Sequence, residues 1–169
     1  MESSKSLLIA LLLTICAVIF QLIGLASPYW IFLDLKIAKA NAGLWKACTE
    51  TVLTGNTICS DVELTDDDWL KAVRAMSILG FLVLVVPVIM VVLKLFVLKD
   101  KKPILLVAIG TAFVGAVFIL ISIAVYAAKT NDLYKNIDFN YHFAFAFSII
   151  GMIAAIGAGV VMLVERVKQ

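Results

Sequence analysis

The chain has 169 residues, of which 63% are hydrophobic, and its mean hydropathy is +1.09. Soluble domains are about 45–50% apolar by a similar count, so a water-soluble fold would leave much apolar surface uncovered, and a lipid-facing surface is the simplest explanation. The formal net charge of +2 argues against a nucleic-acid-binding protein.

Four uncharged apolar segments predict four transmembrane helices, because each is long enough to cross about 30 Å of hydrocarbon with its backbone hydrogen bonds satisfied internally. They are residues 7–26, 76–93 (within a helix of about 72–98), 104–128 and 143–164. The first segment has an alternative interpretation as a secretory signal peptide, since Lys5 precedes it and Gly24-Leu25-Ala26 has the small-x-small form of a cleavage site. Cleavage there would leave three helices.

The short segment between the second and third helices, about 99–103, indicates which side each loop occupies. Short basic loops stay in the cytoplasm, and this region is rich in lysine. The other side holds as many basic residues, but they are spread over longer segments and interleaved with acids. We therefore expect both termini in the cytoplasm and residues 27–70 and 129–142 outside. Counted over the wider stretch from 94 to 103, the basic residues are Lys94, Lys99, Lys101 and Lys102.

The first outer loop contains patterns typical of strands. Apolar residues alternate with others from Ile31 to Ala38, which predicts one strand with a covered face, and residues 45–48 and 58–62 are candidates for two more. Thr54-Gly55-Asn56 supplies turn residues between the last two. A Cys48–Cys59 disulfide would staple that hairpin and would persist only in an oxidising compartment; the alternative is two free thiols.

The end of this loop leads into the second helix. Thr65 is expected to cap that helix with Asp66, Asp67 and Asp68 at its positive end, an interpretation favoured over a metal site. Trp30 and Trp69 fit an aromatic belt at the membrane surface. Arg74, barely one turn into the helix, needs loop carbonyls or a carboxylate as partner, or must extend towards water.

The second outer loop is short and aromatic. Tyr134, Ile137 and Phe139 are either membrane-interface anchors or a contact surface for a partner, and the sequence leaves both interpretations open. On the last helix, Gly151, Ala155 and Gly159 recur every four residues, which favours close helix packing. That packing could be intramolecular or could support lateral self-association.

The chain lacks the residues expected of an enzyme or an ion-coupled transporter. No acid or base lies near the middle of any apolar segment, whereas proton relays and transporters usually carry charges there. The single histidine, His142, lies at a membrane boundary, and no phosphate loop or metal-ligand spacing is present. We therefore expect no enzymatic activity, no cofactor and no metal.

Several motifs together resemble the claudin, peripheral myelin protein and epithelial membrane protein superfamily. They are Trp30, then Gly43-Leu44-Trp45, then Cys48 and Cys59, with Arg74 at the outer start of the second helix. In length the chain is closest to the lens-fibre and epithelial membrane branch. The resemblance implies one integral membrane domain over 1–169, mainly α: a left-handed four-helix transmembrane bundle with a small extracellular antiparallel β-sheet. It also implies that Trp30 and residues 43–45 anchor the sheet and that Arg74 ties it to the second helix.

The same resemblance implies a function at the plasma membrane, and at cell–cell junctions in particular. Members mediate cell–cell contact, form paracellular barriers or organise junctional membranes, with self-association beside and across membranes. The alternative is an auxiliary subunit or lateral organiser of another membrane protein, such as an ion channel. Asp61, just after Cys59, is the candidate for cation selectivity. The C-terminal Val167-Lys168-Gln169 lacks a hydrophobic last residue, so no PDZ scaffold is expected as a partner.

Overall fold

The computed structural model describes residues 2–35, 37–62, 68–97, 103–135 and 137–168, with side chains from Lys5 onwards. Four long helices account for most of this: α1 (Glu2–Ala26), α2 (Asp68–Phe96), α3 (Pro103–Leu133) and α4 (Phe143–Lys168). Each contains an apolar stretch long enough to cross a membrane, which confirms the prediction of four spans. The third helix continues five residues past the end of its apolar segment, and the second begins at Asp68.

The helices form a ring in which each packs against two neighbours, in the order α1, α2, α3, α4 and back to α1. Small and hydroxyl-bearing residues allow this close packing. The Ser77 and Ser122 hydroxyls lie 2.6 Å apart between α2 and α3, and the Ser122 hydroxyl also donates to the Val73 carbonyl at 3.2 Å. These polar contacts are buried, so they pair groups that would otherwise be unsatisfied in an apolar interior.

A five-stranded antiparallel sheet covers one end of the bundle, which we call the sheet end. Its strands lie in the order β4-β3-β2-β1-β5. Four come from the segment between α1 and α2, and the fifth comes from the segment between α3 and α4 and pairs with β1. The strands are β1 (Ile31–Leu35), β2 (Ala38–Ala42), β3 (Lys46–Thr51), β4 (Thr57–Asp61) and β5 (Phe139–Tyr141).

The first part of the sheet differs from the sequence-based expectation. The alternation from Ile31 to Ala38 predicted one strand, but β1 ends at Leu35 and a new strand begins at Ala38, paired with Leu35 itself. The reason is that Ile37 continues the apolar alternation along the sequence although it lies in the turn and is 71% exposed, so the pattern does not show where the chain reverses. Ile31 and Leu33 point towards the bundle and are buried.

The approach to α2 is only partly described. Thr65, Asp66 and Asp67, expected to form the helix cap, lie outside the described residues. Asp68 is the first residue of α2, where an acidic side chain favours the positive end of the helix dipole. Its carboxylate accepts from the Lys71 ammonium at 3.0 Å, in an exposed pair that contributes little to stability.

The sheet end as the candidate functional site

Two tryptophans attach the first loop to the end of α1. The Trp30 Nε1 donates to the Gly24 carbonyl at 2.6 Å, and the Trp45 Nε1 donates to the Leu25 carbonyl at 2.7 Å. Carbonyl groups in the last turn of a helix have no partner within the helix. The two indoles therefore complete the hydrogen bonding of α1 while they hold the start of the sheet against it.

Trp30 is fully buried, with none of its surface exposed. Its ring lies 4.6 Å from the ring of Tyr126 on α3 and 5.7 Å from the ring of Phe145 on α4, measured between centroids. The expectation of a lipid-facing aromatic belt is therefore wrong for Trp30, which packs inside the protein. Trp69, the other residue of that expectation, is half-buried, and its ring centroid lies 6.1 Å from that of Tyr126.

Arg74 connects α2 to the same loop. Its Nε donates to the Leu44 carbonyl at 2.6 Å, and its Nη2 donates to the Val62 carbonyl at 3.0 Å. The guanidinium carbon lies 4.7 Å from the centre of the Trp45 ring, in cation–π range. The side chain is only 8% exposed, so two carbonyls and an aromatic face stabilise a charge that water barely reaches. The sequence left three arrangements open for Arg74: loop carbonyls as partners, a carboxylate as partner, or extension towards water. In the structure the partners are loop carbonyls.

Gly43 allows this loop to pass close to the end of α1. A Cβ at this position would lie 2.5 Å from both the Pro28 Cα and the Ser27 carbonyl oxygen, which are backbone atoms that cannot rotate away. Leu44 follows with no exposed surface, and its carbonyl faces Arg74. The residues of the Gly43-Leu44-Trp45 motif thus have separate roles. Gly43 allows the close approach, Leu44 is buried, and Trp45 donates a hydrogen bond from its indole.

The hairpin formed by β3 and β4 is joined by the Cys48–Cys59 disulfide, as predicted, and the two cysteines are direct cross-strand neighbours. The connecting turn includes Gly55 at φ +65°, a conformation that glycine adopts without strain. Every residue of β4 is exposed. Asp61, the ion-selectivity candidate, lies on this edge strand directly opposite Lys46.

The far end of the sheet presents exposed apolar side chains. The Val52 amide donates to the Ile37 carbonyl at 3.2 Å, which joins the β3–β4 turn to the β1–β2 turn. Ile37 is 71% exposed, Val52 54% and Leu53 87%. We call these three residues the apolar tip. Sequence reasoning missed this cluster, because residue 37 comes beside residues 52 and 53 only through the pairing of β2 with β3, which the hydrogen bond between the turns extends.

The second loop joins the sheet end because β5 pairs with β1. Sequence reasoning did not assign this strand. Tyr134 and Phe139 are half-buried and their rings lie 5.7 Å apart, whereas Ile137 is 43% exposed. The Tyr141 hydroxyl donates to the Ala127 carbonyl at 3.4 Å, and burial raises the pKa of this phenol above its ordinary value. Of the three residues proposed as a contact surface, Ile137 is thus the most accessible.

The small residues of α4 contact other helices of the same chain. A Cβ at Gly151 would lie 3.1 Å from the Ala17 carbonyl oxygen on α1, and one at Gly159 would lie 2.9 Å from the Phe113 ring on α3. Ala155 between them is fully buried. These positions form the intramolecular interface of α4.

The profile of the PMP-22/EMP/MP20/Claudin family matches residues 4–163. The chain belongs to this family. No curated protein matches the chain significantly. The matched region includes all five strands and reaches into all four helices, so the PMP-22/EMP/MP20/Claudin family accounts for both the bundle and its sheet. The chain is accordingly a multi-pass membrane protein of a non-enzymatic family.

Proposed function

We propose that this member of the PMP-22/EMP/MP20/Claudin family mediates contact between neighbouring cells, where it forms or organises a junctional barrier. The partner is a second copy in the facing membrane, contacted through the extracellular sheet. The observation that carries this proposal is the apolar tip, because a cluster of exposed apolar side chains in water is typical of an interaction site.

The orientation rests on chemistry at the two ends of the molecule. The Cys48–Cys59 disulfide requires an oxidising compartment, which favours an extracellular sheet in the plasma membrane. The opposite end carries Lys94 and the sequence positions Lys99, Lys101 and Lys102 in a short connection, which favours the cytoplasm. Both chain termini lie at that same end in this arrangement.

The geometry of the hairpins favours contact with a facing membrane over contact with the protein's own bilayer. β1 starts beside the buried Trp30 and extends roughly 13 Å from Ile31 to Leu35, at about 3.3 Å for each residue. The tip therefore lies at the end of the sheet furthest from the indole anchors. The disulfide and the strand pairing hold it in one conformation, which lowers the entropy that binding would cost.

Mixing two cell populations that carry differently coloured tagged protein tests this proposal. We expect the wild type to accumulate where two expressing cells touch, and Leu53→Asp to reduce that accumulation severalfold by placing a charge in the apolar contact. Thr54→Asp is the matched control, since it adds the same charge at the next exposed position of the same turn. Uniform distribution of the wild type, or an unchanged Leu53→Asp, would contradict the proposal.

A second candidate function is lateral association with another membrane protein, as an auxiliary subunit or organiser. The observation in its favour is an apolar groove of about 340 Å³ between α3 and α4 near mid-depth of the bundle. A groove of this kind can receive side chains of a partner helix, since close packing drives helix association in membranes. Its lining residues are Phe113, Ala116, Val117, Leu120, Met152 and Ile156.

One pair of variants distinguishes lateral association through the groove from contact between cells through the sheet. Val117→Trp would fill the groove and should reduce the size of the complexes seen in native electrophoresis, while contact enrichment in mixed cells persists. Val114→Trp is the control, because Val114 is exposed on the same helix but does not line the groove. If Val117→Trp changes neither property, the groove has no role in association.

A further inference from the structure

The end of the bundle opposite the sheet contains a polar cavity that the contact function does not use. It has a volume of about 250 Å³ and lies where the start of α1 meets the end of α4. Lys5, Ser6 and Ile9 line it from α1, and Lys168 lines it from α4. Two separate helices thus bring two ammonium groups to one cavity.

The charges around this cavity favour an anion. Among the residues whose side chains the structure describes, neither Lys5 nor Lys168 has an ion pair, whereas Lys71 at the other end of the bundle pairs with Asp68. A single anionic group between the two lysines would complement both ammonium groups.

The surface that continues from the cavity along the helices is apolar. On α1, Ile9 (51% exposed) lies one turn from Lys5 and Leu12 (63% exposed) one turn further, on the same face. On α4, Val164 (49% exposed) and Val160 (47% exposed) lie four and eight residues before Lys168. A polar, basic cavity at the membrane boundary thus leads into apolar rows within the bilayer, a pattern that matches an amphiphile.

We propose that this cavity binds the phosphate headgroup of an anionic phospholipid, with the phosphate between Lys5 and Lys168 and the acyl chains along the apolar rows of α1 and α4. A lipid is favoured over a free phosphate ion because the cavity opens onto the lipid-facing surface of the bundle, where phospholipid is always present. The proposal does not depend on cell–cell contact through the sheet, and the lipid comes from the leaflet at the end of the bundle opposite the sheet.

Binding can be measured on the purified full chain in a non-ionic detergent. The probes are dioleoyl phosphatidylglycerol, dioleoyl phosphatidylcholine and inorganic phosphate, each titrated while the unfolding temperature and the lipid adducts in native mass spectrometry are followed. We expect phosphatidylglycerol to raise the unfolding temperature and to give one retained adduct. Phosphatidylcholine and inorganic phosphate at the same concentrations should do neither.

Substitutions locate the site. A lysine near a membrane surface contributes about a fivefold gain in binding of an anionic lipid, so Lys5→Gln and Lys168→Gln should each weaken phosphatidylglycerol binding about fivefold and the double variant roughly 25-fold. Lys129→Gln, an exposed lysine on α3 near the sheet end, is the matched control and should bind as the wild type does. The unfolding temperature without lipid shows whether each variant is folded.

Three results would overturn the proposal. Equal binding of phosphatidylcholine would indicate ordinary annular lipid without selection for charge. An equal effect of inorganic phosphate would indicate an ion site that needs no acyl chain. An unchanged double variant, folded and still selective for phosphatidylglycerol, would place the anionic lipid elsewhere on the protein. If the protein were not enriched at contacts in mixed cells, the proposed function would fail, but the lipid-binding measurement would still stand.

Discussion

Trp30, Trp45 and Arg74 all donate to backbone carbonyl groups and not to other side chains. Every residue has a backbone carbonyl group, so any residue type could accept these hydrogen bonds. The identity of the acceptor residues is therefore not restricted by this role; they are Gly24, Leu25, Leu44 and Val62. The donors, in contrast, must reach a distant carbonyl with a correctly aimed N–H group, which few side chains can do. This asymmetry explains why the recognisable motif consists of donors and of the glycine that lets the chain approach.

Replacement of Arg74 tests how much of the stability this cross-link provides. Arg74→Gln should lower the free energy of unfolding by about 3 kcal/mol, since it removes two charge-assisted hydrogen bonds from a buried position. In a chain of this length that is a fall in unfolding temperature of roughly 6–12 °C. Lys71→Gln, one turn away, removes only an exposed ion pair and should cost less than about 1 kcal/mol. Similar losses from both variants would show that Arg74 does not hold the loop to α2.

A pair of glycine substitutions separates close approach from helix propensity. Gly43→Ala should destabilise the protein by about 2 kcal/mol or more, because the added Cβ meets backbone atoms at 2.5 Å. Gly110→Ala in α3 meets no atom within 4 Å and should stabilise the helix by about 0.5–1 kcal/mol. Thermal unfolding in detergent, with both variants in parallel, measures the two opposite signs. If both substitutions changed the stability in the same direction, the clash of a Cβ at position 43 with the backbone would not explain the result.

At the scale of elements, the β3–β4 hairpin is the part of the sheet that depends most on a covalent link. Its outer strand is exposed throughout and pairs on one side with β3. Replacing both Cys48 and Cys59 with serine should cost about 3 kcal/mol in the chain-entropy account of disulfides. The loss should appear as faster proteolysis within 46–61 while the helical circular dichroism signal persists. Alkylation of both thiols in intact unreduced wild type would contradict the bond itself.

The elements also show how far sequence reasoning reaches. Hydropathy alone located all four helices, because the bilayer requires long uncharged segments. The hairpin turn after Leu35 was missed, since the exposed turn residue Ile37 continues the apolar alternation of the sequence. β5 was missed, since its three residues form a strand only by pairing with β1, a segment far away in the chain, and a local pattern does not encode such a contact.

The candidate site shows the same division. Its motif residues could be recognised in the sequence, and loop carbonyls were one of the arrangements considered for Arg74. The full burial of Trp30 could not be foreseen, because it results from Tyr126 and Phe145 on two later helices. The apolar tip likewise exists only because β2 pairs with β3 and so places the two hairpin turns side by side.

For the whole molecule, the strand register determines how charge is distributed over the sheet. The residues opposite one another in one row are Asp34, Lys39 and Glu50, and in another row Lys46 lies opposite Asp61. Opposite charges directly across antiparallel strands attract each other and reduce the field that either presents to the solvent. The sheet therefore offers little unbalanced negative charge, which favours a barrier over a cation-selective pore.

This charge balance predicts the effect of Asp61 on ion permeation between cells. In an epithelial monolayer that expresses the protein, Asp61→Asn should leave the sodium-over-chloride permeability ratio unchanged, because a barrier gives ions no path past the hairpin, where Lys46 offsets the Asp61 carboxylate. Lys46→Gln, which removes that offset, should raise the ratio only if ions pass close to the hairpin. Asp34→Asn, on β1 and opposite Lys39, controls for the loss of any exposed acid from the sheet. A ratio that falls in Asp61→Asn but not in Asp34→Asn would instead assign cation selection to Asp61, and the barrier interpretation would give way to a pore.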